Sequence, residues 1–540
     1  MRARRGPGWA GRIAAAVIVV AVTTVTAALV GGGVAGADSY VPISGAGSTW
    51  SENALDQWIR DVQQYGMRIN YAGTGSSDGR RQFLNGTVDF AASDIPFQSH
   101  PDDGSAPENP TPGSYAYMPI TAGGTVFMYN LTIDGARVTN LRLSGENIAK
   151  IFTGEISNWD DPAIAADNPG LQLPNRQIVP VVRSDGSGST FQFTNWMSSQ
   201  YPSVWNAYCA RSGRAPACGP TSFYPTVPGM IAQSGDLGVS GYVAQGYADG
   251  AIGYTQYSYA LNAGFPVAKM LNAAGYYTEP TPQNVAVSLL AAQIDTTDTD
   301  PSLYLTQKLG NVWTDPDPRT YVLSSYSYLI LPITIQGQFT AAKGKTLAAF
   351  SYYAMCQGQQ ESASLGYSPM PINLVQASFT QIARIPGAVV QNINIQSCNN
   401  PTFSPSGENL LAQTAPYPPA CDKQGPTQCT TGTGGAAGVA TATSARPATG
   451  QGGTAAAATA ASGTVNSAQG ASACDPGTSD CATVSEFDPG TDPSATPVTL
   501  AAVHDWGSAQ TLMVLAFLAL LAVVLVPGFV AMRARRSSEP

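Results

Sequence analysis

Residues 177–200 read QIVPVVRSDGSGSTFQFTNWMSSQ: an apolar run, then Arg, Asp, Gly and Ser, then an amphipathic stretch. That order predicts a strand feeding a turn at the start of a helix. Gly186 and Gly188 let the backbone turn its N–H groups inward, and Ser187, Ser189 and Thr190 add hydroxyl donors. The helix start supplies the positive end of a dipole, and Arg183 adds a full charge in a planar fork suited to a tetrahedral oxyanion. One such loop is ordinary turn punctuation.

The composition recurs nearer the N-terminus. In residues 39–64, SYVPISGAGSTWSENALDQWIRDVQQ, Val41 and Ile43 alternate as a strand does, and Gly45, Gly47, Ser48 and Thr49 form the loop. Trp50, Ala54, Leu55, Trp58, Ile59 and Val62 then fall on one helical face. Residues 67–84, MRINYAGTGSSDGRRQFL, repeat strand, Gly-x-Gly-Ser loop and helix, and a short apolar strand VDFAAS follows, delivering Asp94. Three turns of one composition predict loops converging at the carboxyl ends of strands in open α/β sheets, where such folds bind ligands. The ligand class they point to is a small anion.

The ends of the chain have a different character. Residues 1–37 combine Arg2, Arg4, Arg5 and Arg12 with an apolar run and end in Ala35-Gly36-Ala37, the pattern of a cleaved secretory signal. An uncleaved anchor is the alternative for that run. Residues 511–532, TLMVLAFLALLAVVLVPGFVAM, are uncharged, long enough to span a bilayer, and followed by Arg533, Arg535 and Arg536 in the tail 533–540. Positive residues stay on the cytoplasmic side, so the expectation is an exported domain on the outer face of the plasma membrane, held by a C-terminal single-pass helix. Between them, residues 401–505 are dominated by Ala, Gly, Thr, Ser and Pro and predict a disordered stalk, because they lack the apolar side chains needed to offset the entropy of ordering.

Charged residues make up only 11% of the chain, and the net charge is −9. That balance argues against nucleic acid and other polyanions as partners, so an anion must be held by local dipoles and a buried Arg rather than a long-range positive field. Eight cysteines in an exported chain predict disulfides. Local pairing joins Cys209 to Cys218, Cys421 to Cys429 and Cys474 to Cys481, which leaves Cys356 and Cys398. No cysteine spacing fits a metal site, and the only histidines, His100 and His504, are isolated, so neither metal nor cofactor is expected.

The folded portion is too long for one core and predicts two lobes. Residues 123–130, GGTVFMYN, read as a strand entering the second lobe, and residues 321–335, YVLSSYSYLILPITI, as a strand returning. The expected division is 41–122 with 321–400 for lobe one and 123–320 for lobe two, with the anion in the cleft.

GAGST at 45–49, INYAGTGSSDGRRQFLNGTVDFAASD at 69–94 and VVRSDGSGSTFQFT at 181–194 together resemble the ligand segments of the phosphate-binding proteins that serve bacterial phosphate ABC transporters. IFTGEISNWDDPAIAADNPGLQLP at 151–174, GAIGYTQYSYA at 250–260 and LGYSPMPINLVQASFTQIARIPG at 365–387 extend the resemblance over about residues 43–390. It implies a class II periplasmic-binding-protein fold, α/β, with two lobes and two hinge crossings. It also implies a receptor that captures inorganic phosphate and delivers it to an ABC permease and ATPase complex, with no chemistry of its own. The implied phosphate contacts are Thr49, the Trp50 backbone, Ser76, Asp94, Arg183, Ser187, Gly188 and Ser189, with Asp185 orienting Arg183. A carboxylate only accepts hydrogen bonds, so Asp94 favours an anion that still carries a proton and repels sulfate. Trp50 stands where the family usually has Phe. The sequence is also compatible with two other functions: a tethered oxyanion sensor without a transporter, and a secreted hydrolase built on the Gly75-Ser76-Ser77-Asp78-Gly79 match to G-x-S-x-G with His100 as base.

Overall fold

A computed structural model describes residues 40–441 apart from 297–301, 399 and 405–406. The expected signal segment 1–37, Cys474, Cys481, the run 511–532 and the basic tail lie outside these residues, as does the expected stalk beyond 441. Among the described residues no helix is long and apolar enough to cross a membrane.

The strands expected beside the three loops are β1 (Ile43–Gly47), β2 (Ile69–Gly73), β3 (Phe90–Ser93) and β5 (Val179–Arg183), with β4 (Tyr115–Tyr129) between the last two. Three more, β6 (Ile231–Gln233), β7 (Ala251–Gln256) and β8 (Ser324–Pro332), complete an eight-stranded sheet of order β2-β1-β3-β8-β4-β7-β5-β6. The outer trios β2-β1-β3 and β7-β5-β6 are each parallel, and the antiparallel pair β8-β4 joins them. Parallel strands need covering on both faces. The helices that position the site are α1 (Glu52–Val62), α2 (Ser76–Leu84), α3 (Gly188–Gln200), α4 (Gly235–Val243), α5 (Pro282–Ser288), α6 (Ala341–Met355) and the short α7 (Leu410–Gln413).

Two large cores confirm the lobes. One gathers Leu55, Trp58, Phe90, Met118, Leu329 and Phe350, and the other Phe127, Phe152, Phe193, Trp196 and Tyr254. The strand β4 runs through both, since Met118, Ile120 and Ala122 lie in the first and Val126 to Tyr129 in the second. At the crossing, a Cβ on Gly123 would lie 2.9 Å from the Trp50 ring, and one on Gly124 would lie 2.3 Å from Pro280. Glycine is required there by close approach from both sides. As the periodicity predicts, α1 buries Ala54, Leu55, Trp58, Ile59 and Val62, although the helix begins only at Glu52 and Trp50 belongs to the preceding turn.

Two expected boundaries are corrected. Residues 282–296 and 302–313 fall in the stretch expected in lobe two, but Val285, Leu289, Leu305, Leu309 and Val312 pack in the lobe-one core; the chain touches the lobe-two core again at Tyr321, Val322 and Leu323. The stalk expected from 401 is folded as far as 441. Thr402 donates to the Met370 carbonyl at 2.9 Å, and Ala412 and Ala415 pack on Ala286 and Val287. Farther on, Arg142 donates to the Thr427 carbonyl at 2.9 Å, Asn140 to that of Cys429 at 2.6 Å, and the Thr139 N–H to Thr441 Oγ1 at 2.7 Å. Polar side chains of lobe two satisfy the backbone of this segment, so it needs few apolar residues of its own. That compensation is invisible to composition.

Cys209–Cys218 and Cys421–Cys429 pair as expected, and the two left over, Cys356 and Cys398, also form a disulfide.

Candidate anion-binding site

Every candidate residue lies at the carboxyl end of a strand of one of the parallel trios or in the helix start that follows it. After β1, Gly47 has φ +140, and a Cβ there would lie 2.0 Å from the Ala92 carbonyl oxygen. After β2, Gly75 has φ +90, its N–H donates to the Gly47 carbonyl at 2.8 Å, and a Cβ would lie 2.4 Å from Asp185 of lobe two. Only glycine adopts these angles without strain. The Ser77 N–H donates to the Gly186 carbonyl at 3.0 Å, so the two Gly-rich loops meet directly across the cleft.

On the lobe-one wall, Asp94 is 2% exposed and accepts from Ser48 Oγ at 2.7 Å, Ser327 Oγ at 2.8 Å and Ser76 Oγ at 3.1 Å. Burial raises its hold on a proton, the serine hydrogen bonds oppose this, and the charge of Asp236 adds to it. Three of its roughly four acceptor positions are thus taken by hydroxyl donors.

On the lobe-two wall, Arg183 is 2% exposed and donates from Nε to Asp185 Oδ1 at 2.8 Å and from Nη1 to Asp236 Oδ2 at 2.5 Å; Nη2 donates to the other Asp185 oxygen. Burial alone would loosen its proton, but the charges of Asp236 and Asp185 reverse this and raise its proton affinity above the ordinary value. Asp185 is likewise pushed up by burial, yet its hydrogen bond to Arg183 holds it below the usual carboxylate range. A guanidinium has five N–H donors, of which these carboxylates take three. One hydrogen on each terminal nitrogen is left, and Nη1 also reaches Ser189 Oγ at 3.4 Å.

Ser187 caps α3 by accepting from the Thr190 N–H at 3.1 Å, and its Oγ lies 2.8 Å from Ser189 Oγ. A Cβ on Gly188 would lie 2.7 Å from Ser76 Oγ and 2.8 Å from Asp94. The helix start of lobe two thus sits against the acceptor of lobe one, where anions are favoured. Thr49 Oγ1 donates to Asp236 Oδ2 at 2.5 Å. The Trp50 ring turns away into the lobe-one core, packs edge-on against Tyr367 and donates Nε1–H to Thr125 Oγ1 at 3.1 Å, so its extra bulk lies at the strand crossing.

All the candidates named from the sequence are brought together, and three partners were missed. Ser48 is marked in the sequence only as part of the first loop. Asp236 follows β6 in IAQSGDLGVSGYV, a fourth strand, Gly turn and helix whose pattern could have flagged it. Ser327 lies mid-strand beside a register shift that re-aims its side chain, and no local pattern announces it. The hydrolase constellation is not assembled: Ser77, the nucleophile position of the match, accepts from Arg80 Nη2 at 3.3 Å, and His100 is exposed on a loop.

Two α/β lobes joined by long strands, with converging anion loops between them, define a two-lobed solute-binding protein. The PBP superfamily domain matches residues 29–357. The phosphate-binding protein PstS of Xylella fastidiosa is 32% identical over 338 residues, 62% of this chain and 83% of that protein. The phosphate-binding protein PstS of Pasteurella multocida is 30% identical over 337 residues, 62% and 88% respectively. The chain belongs to this family of phosphate-binding proteins, within the PBP superfamily. A solved phosphate-binding protein from Stenotrophomonas maltophilia aligns over 68% of this chain and 99% of its own at 20% identity and a TM-score of 0.48.

Proposed function

We propose that this protein captures inorganic phosphate between its lobes and delivers it to an ABC transporter permease, performing no chemistry itself. The observation that carries the reading is the juxtaposition of Arg183, with a donor left on Nη2 and a second on Nη1 only weakly engaged by Ser189, and Asp94, an acceptor, across the start of α3. Such a pair fits an anion that is both charged and protonated, which describes phosphate near neutrality and excludes sulfate. Thr49, the Trp50 N–H, Ser76, Ser187, Gly188 and Ser189 complete the shell, and Asp185 holds the guanidinium in plane. Export follows from the N-terminal segment, and tethering of the domain outside the cell from the run 511–532.

Calorimetric titration of phosphate, then sulfate, into ligand-stripped protein tests the site. The chain used must extend at least to Thr441, since residues 421–441 pack on lobe two. Tight phosphate binding that excess sulfate does not displace supports the reading, and absence of heat with phosphate refutes it. Reconstitution with a phosphate permease tests delivery: uptake must depend on this protein.

A further inference from the structure

Residues 407–441 lie beyond the match to the PBP superfamily domain, which ends at 357, and they dock on both lobes. On lobe one, Ala412 and Ala415 pack on Ala286 and Val287 of α5, and Arg319 donates to the Ala412 carbonyl at 3.1 Å and to that of Ala415 at 3.3 Å. On lobe two, Arg142 donates to the carbonyls of Cys421 at 3.1 Å and Thr427 at 2.9 Å, and the Lys269 ammonium lies 2.6 Å from Asp422, which is 3% exposed. Thr433 Oγ1 donates to the Val267 carbonyl at 2.5 Å, the Gln424 N–H to that of Gly275 at 2.8 Å, and the Cys421–Cys429 disulfide closes the docked loop.

The two docked patches are joined by Pro416-Tyr417-Pro418-Pro419, a link outside any helix or strand and largely exposed. Proline fixes φ in three of these four residues, and a residue that precedes proline is itself driven to extended angles, which covers Ala415, Tyr417 and Pro418. Pro419 has φ −65 and ψ 158, in the polyproline II region. The Arg319 guanidinium lies 4.7 Å over the Tyr417 ring and braces the link at its middle. At about 3.1 Å per residue, such a segment sets Ala415 and Ala420 about 15 Å apart and has little length to give in either direction.

The lobes joined in this way touch across the cleft. The Ser77 N–H donates to the Gly186 carbonyl at 3.0 Å, and away from the anion loops Thr221 Oγ1 of lobe two donates to Asp103 of lobe one at 2.7 Å. Hinge opening moves one lobe relative to the other and so changes the spacing of the two patches. Both patches are held by buried groups, and the link between them is stiff, so opening must break one of these attachments. We infer that residues 407–441 form a strut that holds the lobes closed before any ligand arrives, so that the anion meets a preorganised cleft.

The test compares the full chain with a Pro416→Gly/Pro418→Gly/Pro419→Gly variant and with a variant carrying about six Gly/Ser residues inserted after Pro418, both of which keep the docked patches and soften the link. Nitroxide labels on Gln64→Cys in lobe one and Tyr247→Cys in lobe two, both exposed positions, report the interlobe distance by electron spin resonance. The intact link is expected to give one narrow distance that inorganic phosphate leaves unchanged. The softened links are expected to give a broad distribution without phosphate that narrows when it is added. Calorimetry of the unlabelled proteins should then find phosphate bound at least about tenfold more weakly by the variants, because apparent affinity falls with the closed fraction and a drop to about a tenth gives that factor. Thermal melting confirms that each variant is folded, and the insertion variant stands in if the glycine variant is not. A broad ligand-free distribution with the intact link, variant distributions as narrow as the intact one, or variant affinities that do not fall overturn the inference. The affinity arm rests on the phosphate reading above and the distance arm does not: no phosphate heat from any of the three proteins refutes that reading, and the ligand-free distances still decide the strut.

Discussion

The two walls of the cleft solve opposite problems. Lobe one presents an acceptor, Asp94, steadied by three hydroxyl donors and no cation; lobe two presents a cation, Arg183, steadied by two carboxylates. A carboxylate with only hydroxyl partners keeps a raised proton affinity, whereas a guanidinium between carboxylates is neutralised and locked in plane. The comparison teaches that the two walls set three carboxylates against one guanidinium, so in the proposed function selectivity comes from matching donors to acceptors rather than from attraction.

The sharpest way to break this asymmetry is Arg183→Ala. It leaves Asp236 and Asp185 without a counter-charge, and we predict loss of phosphate binding by at least about 10³-fold together with a fall in stability of ~3–5 kcal/mol, read by calorimetry and thermal melting. An unchanged affinity would remove lobe two from the site.

The lobes also differ in covalent bracing. Cys356–Cys398 closes 42 residues at the edge of lobe one, and Cys209–Cys218 closes 9 in lobe two. Loop-closure entropy then predicts that the Cys356→Ala/Cys398→Ala protein loses about 4 kcal/mol and the Cys209→Ala/Cys218→Ala protein about 3 kcal/mol in denaturant unfolding. Equal or reversed losses would show that local packing outweighs loop length.

Asp94→Asn strips lobe one of its charge while keeping its shape. We expect phosphate affinity to fall about 10- to 100-fold, as for one charged hydrogen bond, and sulfate to begin competing. Continued exclusion of sulfate would shift the source of selectivity to Thr49 and Asp236.

The smallest effect concerns Glu52, beside the first loop. With its carboxyl raised from 4.5 to about 7, the folded chain holds a proton that the unfolded chain has released. Its favourable contribution is complete below pH 4.5 and is lost as pH rises to about 7. Glu52→Gln removes that loss, so it should raise stability at about pH 8 by roughly 1–2 kcal/mol, allowing for partial exposure, and leave it unchanged at about pH 4. A gain of equal size at both pH values would rule out ionisation as the cause.

Much of the site was legible because its parts are local. Gly47 and Gly75 stand where the backbone needs positive φ, the Ser187 cap lies three residues from the N–H it satisfies, and Arg183 lies two residues from Asp185. The burial of α1 followed from its 3.6-residue period. Ser327 was not legible, being 233 positions from the Asp94 it serves and inside a strand whose residues are all buried, so no alternation marks it. The course of residues 407–441 is not legible in the sequence, because the hydrogen-bonding partners that order them belong to a distant part of the chain.

By itself, then, the sequence determined the turns, the helix starts and the order of anion loops, all of which depend on backbone angles and spacings of a few residues. Only the tertiary structure decided that Asp236 stands between Thr49 and Arg183, that residues 282–296 and 302–313 return to lobe one, and that residues 407–441 are folded. Each of these is a contact across the chain, selected by burial and by the need to satisfy polar groups away from water, and neither requirement leaves a periodic trace in the residues that meet it.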